Sequence, residues 1–115
     1  MKFEFILVIL MVLGVSFIPV FAADEVASGM SYDAKLQSCF ACHGENGDKP
    51  LMPDYPILSG QYQDYLAQTL YSYRSGRRQH PMMNAQVVAL GLTDDDIEKL
   101  AAYFSSKPGL ENLGD

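Results

Sequence analysis

Cys39-Phe40-Ala41-Cys42-His43 places two thiols and an imidazole within one turn and a half of chain, and the sequence holds no other cysteine and only one other histidine, His80. The spacing C-x-x-C-H is the pattern that attaches a c-type haem. Each thiol adds to one vinyl group of the macrocycle, giving two thioether bonds. The next residue then lies under the ring with its imidazole aimed at the iron, which makes His43 the proximal axial ligand. Its other ring nitrogen needs an acceptor that fixes the tautomer and raises ligand basicity. A backbone carbonyl of the proline-rich stretch 49–60 is in a position to serve.

Two other uses of a cysteine pair fit less well. A redox-active disulfide of the thioredoxin kind needs a preceding strand and a βαβ setting, and the sequence offers neither. A closed zinc site wants four ligands, usually as two pairs, whereas His80 is single and remote. The chemistry therefore points to one covalently bound haem c.

The sixth iron ligand must come from elsewhere, and c-type cytochromes pair Met with His. The candidates are Met30, Met52, Met82, Met83 and His80. An isolated Met is ordinarily core filler, which suits Met30 and Met52. Met82 and Met83 follow a long helical stretch and could cross the distal face as a strap, though only one of them can bind. His80 directly precedes Pro81 in a polar stretch and reads as an exposed loop residue.

The elements that position these groups follow from periodicity. Ser31 or Asp33 can cap a helix, and Tyr32, Leu36 and Phe40 form its apolar stripe, so a short helix delivers the cysteines. Gly44 and Gly47 end it. Gln61 to Ser75 reads as a second helix with Tyr62, Tyr65, Leu66, Thr69, Leu70 and Tyr73 on one buried face. Residues 80–92 read as a loop with a short turn near Ala85 to Ala89. Thr93 caps a last helix whose inner face is Ile97, Leu100, Ala101 and Phe104, and Lys107-Pro108-Gly109 stops it. No alternating run long enough for a sheet occurs, so the chain is expected to be all-α.

Length allows one domain in the 115 residues. Residues 5–21 form an apolar run, and Val20-Phe21-Ala22 ends in small residues like a signal-peptidase site. Residues 1–23 are expected to be a cleaved signal peptide and 24–115 the haem domain. The alternative is an uncleaved N-terminal membrane anchor. Export to the periplasm follows from the first reading. The net charge of −6 speaks against nucleic acid and anionic membranes as partners and is compatible with a basic docking patch. A domain this small buries little surface, and a covalently held apolar haem supplies what its single cysteine pair cannot.

With these motifs in order, the chain resembles a single-domain class I c-type cytochrome of the c553 and c4 type. The resemblance runs from Ser31 to Lys107. It rests on Cys-Phe-Ala-Cys-His-Gly at 39–44, Tyr-Pro-Ile-Leu-Ser-Gly-Gln at 55–61, Tyr-Leu-Ala-Gln-Thr-Leu at 65–70, Gly-Arg-Arg at 76–78, His-Pro-Met-Met-Asn-Ala-Gln at 80–86 and Leu-Ala-Ala-Tyr-Phe at 100–104. It implies the class I fold: crossed N- and C-terminal helices plus a middle helix around one haem. It implies that the Pro56 carbonyl accepts from the axial His43, that Ile57 and Leu58 pack near the haem, and that Met83, rather than Met82, completes the iron site. Cytochrome c4 proper carries two haem domains, and here there is one.

The implied function is one-electron transfer without enzymatic activity. Partners would be redox proteins: a quinol-oxidising complex, a terminal oxidase, or a periplasmic dehydrogenase or reductase, with membrane contact only through them. Two alternatives stand beside it. One is a haem enzyme or gas- or peroxide-binding domain with a displaceable Met, for which His80, Arg77 and Arg78 are near in sequence. The other is a dedicated electron-accepting subunit of a dehydrogenase complex.

Overall fold

The computed structural model describes residues 29–109, and the N-terminal stretch read as a signal peptide lies outside them. Four helices follow one another: α1 Tyr32–His43, α2 Gln63–Arg74, α3 Pro81–Ala89 and α4 Asp94–Ser105. There is no strand among the described residues. None of the described helices is long and apolar enough to cross a membrane.

Helix α1 starts where the Ser31 hydroxyl accepts from the amide of Ala34, satisfying one of the donors that a first turn leaves unpaired. It runs three residues past the apolar stripe, so Cys39, Cys42 and His43 all sit on its last turns. Helix α4 is closed by a capping box: Thr93 Oγ1 accepts from the Asp96 amide at 3.2 Å, and Asp96 Oδ2 accepts from the Thr93 amide at 2.9 Å.

The core lies between α2 and α4. Leu66, Ala67 and Tyr73 of α2 meet Ile97, Leu100, Ala101 and Phe104 of α4, and Ile97 is wholly buried. Tyr62 and Tyr65 were expected on the buried face, but they are exposed. Helix α2 begins only at Gln63, with Tyr62 as its cap, and Ala67 takes the place at the α4 contact. Small Ala67 lets the two helices approach closely.

Helices α1 and α4 touch through side chains. Lys35 Nζ donates to Asp96 Oδ2 at 2.6 Å and to the Gly91 carbonyl at 3.3 Å. The Phe40 ring packs tilted on Tyr103 and edge-on to Phe104, with centroids 5.5 and 6.3 Å apart. The N- and C-terminal helices are thereby joined beside the last turns that carry the cysteines.

The middle of the chain departs from expectation. The stretch read as a loop with one turn is a complete helix, α3. Pro81 occupies its first position, where a missing amide costs nothing, and the His80 side chain caps it by accepting from the Met83 amide. Val87 of α3 is among the largest fully buried side chains. Pro81, inside the stretch read as a loop, is the start of the helix.

Gly47 ties the motif to the following loop. Its carbonyl accepts from the amides of Leu58 and Ser59 at 2.7 and 3.2 Å. At φ +74° it adopts a conformation that favours glycine, and a Cβ there would sit 2.7 Å from the Phe104 ring.

Candidate functional site

The last turn of α1 faces two adjoining apolar clefts. The first, open to solvent, is lined by Cys39, Cys42, His43, Pro56, Leu70, Met82, Met83, Gln86 and Val87 among others. The second reaches into the core between Leu58, Leu66, Thr69, Leu70, Tyr73, Leu100 and Phe104. Cys39, His43, Pro56, Leu70 and Met83 line both. The two spaces are thus halves of one site, with α1 on one side and α3 on another.

His43 is buried, and its Nδ1 lies 2.9 Å from the Pro56 carbonyl oxygen. A carbonyl only accepts, so Nδ1 carries the proton and Nε2 keeps its lone pair. Burial pushes the His43 pKa down, and the bond to Pro56 opposes this without reversing it. The imidazole is therefore neutral at neutral pH, the form in which it ligates a metal.

Both cysteines are free thiols. Burial pushes the Cys39 thiol up to about 11; a hydrogen bond at its own backbone opposes this and the nearby Cys42 adds to it. Its Sγ donates to the Lys35 carbonyl at 3.4 Å. In the chain without haem this thiol is protonated at neutral pH. Conversion to a thioether removes the titration altogether.

The two candidate methionines differ in setting. Met83 is half-buried, packs against the core cluster and lines both clefts. Met82 is 47% exposed and lines only the outer one. Met30 and Met52 are exposed and line neither.

Leu58 lines the inner cleft, but Ile57, expected beside it, lines a separate groove with Ser59, Gln61, Ser105 and Lys107. Neighbouring residues of an extended segment point to opposite sides, so only one of the pair can face the cleft. His80 reaches the outer cleft while exposed and capping α3. Arg77 and Arg78 line neither cleft; the Arg78 guanidinium stacks 5.1 Å from the centroid of Tyr73, which does.

These residues fit a covalently attached haem. The lining is almost wholly apolar, two unpaired thiols stand at its edge, and a neutral imidazole lines it with one nitrogen already engaged. Sequence reasoning missed Leu70, Thr69, Tyr73 and Gln86 as lining residues. The 3.6-residue period marks Leu70 and Tyr73 as buried without saying that they face a cleft. The i, i+4 pair Met83 and Val87 was the available signal for a helical wall at α3.

Comparison with known proteins points the same way. The family "Cytochrome c" matches residues 31–107. Cytochrome c-554(548) of Halomonas halodenitrificans is 41% identical over 88 residues, covering 74% of this chain and 99% of that protein. Cytochrome c4 of Pseudomonas aeruginosa is 35% identical over 86 residues, covering 75% of this chain and 40% of its own. A thiosulfate dehydrogenase electron acceptor of Stutzerimonas stutzeri is 30% identical over 100 residues, covering 76% and 46%. The chain spans less than half the length of these last two.

Proposed function

Because this chain belongs to the cytochrome c family and is a class I c-type cytochrome with one covalently bound haem c, we propose that it is a periplasmic one-electron carrier in which His43 and Met83 are the axial ligands and Cys39 and Cys42 the points of attachment. When bound, the haem supplies an iron that cycles between Fe(II) and Fe(III). The chain's own residues do the rest. Cys39 and Cys42 anchor the macrocycle on α1. The Pro56 carbonyl holds the His43 ring in one tautomer, leaving Nε2 for the iron. A thioether from Met83 on the other side favours the reduced state and raises the potential. Leu58, Leu66, Leu70, Leu100 and Phe104 exclude water. With both axial positions filled by side chains, no position is left for a substrate, and the protein acts as a carrier, not as an enzyme.

The single observation that carries this reading is that Met83 and His43 line the same two adjoining clefts. What supports Met83 over Met82 is its burial and its place in both. The test is the oxidised spectrum. The weak far-red Met–iron band is expected in the wild type and in Met82→Ala and is lost in Met83→Ala. Loss in Met82→Ala alone overturns the assignment. A high-spin wild-type spectrum that shifts at low cyanide overturns the carrier reading in favour of a ligand-binding haem.

Residues 1–23 act as the export signal and 24–115 as the mature protein, a reading supported by the apolar run and the Val20-Phe21-Ala22 ending. The mass of the purified holoprotein tests it: a chain beginning at Asp24 is expected, and retention of Met1 overturns it. Partners are other redox proteins. The likeness to a thiosulfate dehydrogenase electron acceptor favours a periplasmic dehydrogenase as the donor, and co-purification with a large catalytic chain would identify it.

A further inference from the structure

The Asn84 side chain uses its whole hydrogen-bonding fork. Its Oδ1 accepts from the His80 amide at 2.6 Å. Its Nδ2 donates to the Tyr73 carbonyl at 2.8 Å and to the Arg78 carbonyl at 2.9 Å. Tyr73 belongs to the last turn of α2, and its carbonyl, which also accepts from the Gly76 amide at 3.2 Å, is there shared with Asn84. Arg78 and His80 belong to the connection between α2 and α3. One amide therefore joins the end of α2, the connecting loop and the first turn of α3. Among the described residues, no other side chain of α3 hydrogen-bonds to α2 or to this loop.

Asn84 is the residue after Met83. It reaches neither cleft, so it touches no cofactor. The His80 side chain adds one longer bond by accepting from the Met83 amide at 3.4 Å; the other side-chain contact of α3 is apolar and non-directional, with Val87 in the core and Met83 packed against it. Apolar packing opposes withdrawal of a helix but does little to oppose its rotation or a slide along its axis. Three directed bonds at the first turn oppose both, and they do so one residue from the thioether.

We propose that Asn84 is a positioning residue for the sixth ligand: its amide sets the place of the α3 first turn and thereby holds the Met83 sulfur where the iron needs it. The proposal rests on Met83 as the axial ligand. Ferric iron holds a thioether weakly, so the bond persists only where the protein pre-positions the sulfur. When Asn84 is truncated, the α3 turn gains alternative positions, and the fraction of ferric protein with a vacant sixth position rises. An added ligand binds with an apparent affinity proportional to that fraction.

The test uses the full holoprotein and imidazole as the added ligand. Asn84→Ala is expected to bind imidazole about tenfold more tightly in the ferric state, from the loss of directed bonds each worth part of that factor, and to weaken the far-red band. Asn84→Asp keeps the acceptor for His80 and loses both donors, so it is expected to behave like Ala; it carries the test should Asn84→Ala not accumulate as holoprotein. Lys35→Met lowers global stability through an ion pair between α1 and α4 and is expected to leave imidazole affinity near the wild-type value. Unchanged imidazole affinity in both Asn84 variants overturns the proposal, as does an equal gain in Lys35→Met, which would make the effect one of overall stability. If Met83→Ala retains the far-red band, the ligand reading itself fails and this proposal falls with it; if Met83→Ala loses the band while the Asn84 variants match the wild type, this proposal fails alone.

Discussion

His43 Nδ1 lies 2.9 Å from the Pro56 carbonyl oxygen, thirteen residues away in the chain. That contact orients the imidazole of α1 from a loop with no regular secondary structure. The loop is held in turn by Gly47, whose carbonyl receives the Leu58 and Ser59 amides. The orientation of the His43 ring thus depends on a glycine packed against α4.

Substituting that glycine tests the dependence. Gly47→Ala forces a left-handed backbone on an L residue and drives a Cβ to 2.7 Å from the Phe104 ring. The expected cost is about 2 kcal/mol, read from urea unfolding of the holoprotein. The His43 ring N–H resonance is expected to shift as Pro56 moves. Full stability with an unshifted resonance would contradict the account.

Lys35 and Asp96 form a buried pair, each less than a tenth exposed. Lys35→Met leaves the Asp96 carboxylate without its cation, and the expected loss is roughly 3 kcal/mol, since removing one partner of a buried pair strands the other. Equilibrium unfolding at pH 7 measures it. A loss under about 1 kcal/mol would mean that the pair behaves like a surface one.

The same carboxylate gives a pH dependence of known sign. Burial acts to raise the Asp96 pKa, but the bonds from Lys35 and Thr93 outweigh it and hold the carboxyl below its ordinary value. A group with a lowered folded pKa contributes stability above its unfolded value, near 4, and loses it as pH falls through the folded value. Wild-type urea midpoints are therefore expected to fall below about pH 4 more steeply than those of Asp96→Asn. Parallel curves would refute the linkage.

Thr93→Ala removes the hydroxyl that receives the Asp96 amide. The expected cost is about 1 kcal/mol, with the spectrum unchanged, because α4 meets the cleft only through its apolar face.

Much of this protein is written locally. The C-x-x-C-H spacing names the cofactor because thioether attachment and proximal ligation need those residues at that distance. Ser31 and Thr93 mark helix starts because a hydroxyl beside an apolar period satisfies unpaired amides. The inner face of α4 is legible from its 3.6-residue repeat. What tertiary structure alone decided was of another kind. Residues 80–92 read as a loop with a short turn, and the burial of Val87 in the core, with the His80 cap, makes 81–89 a helix. Tyr62 and Tyr65 carry the apolar period of α2, yet they lie outside, because contact with α4 selects Ala67. Met82 and Met83 are equivalent by residue type, and the turn of α3 separates them into one exposed and one half-buried. Ile57 and Leu58 are near-equivalent too, and the extended loop sends them to opposite sides. Residue type and spacing determine which chemistry is possible; which of two like neighbours faces the cleft depends on packing between elements far apart in the chain.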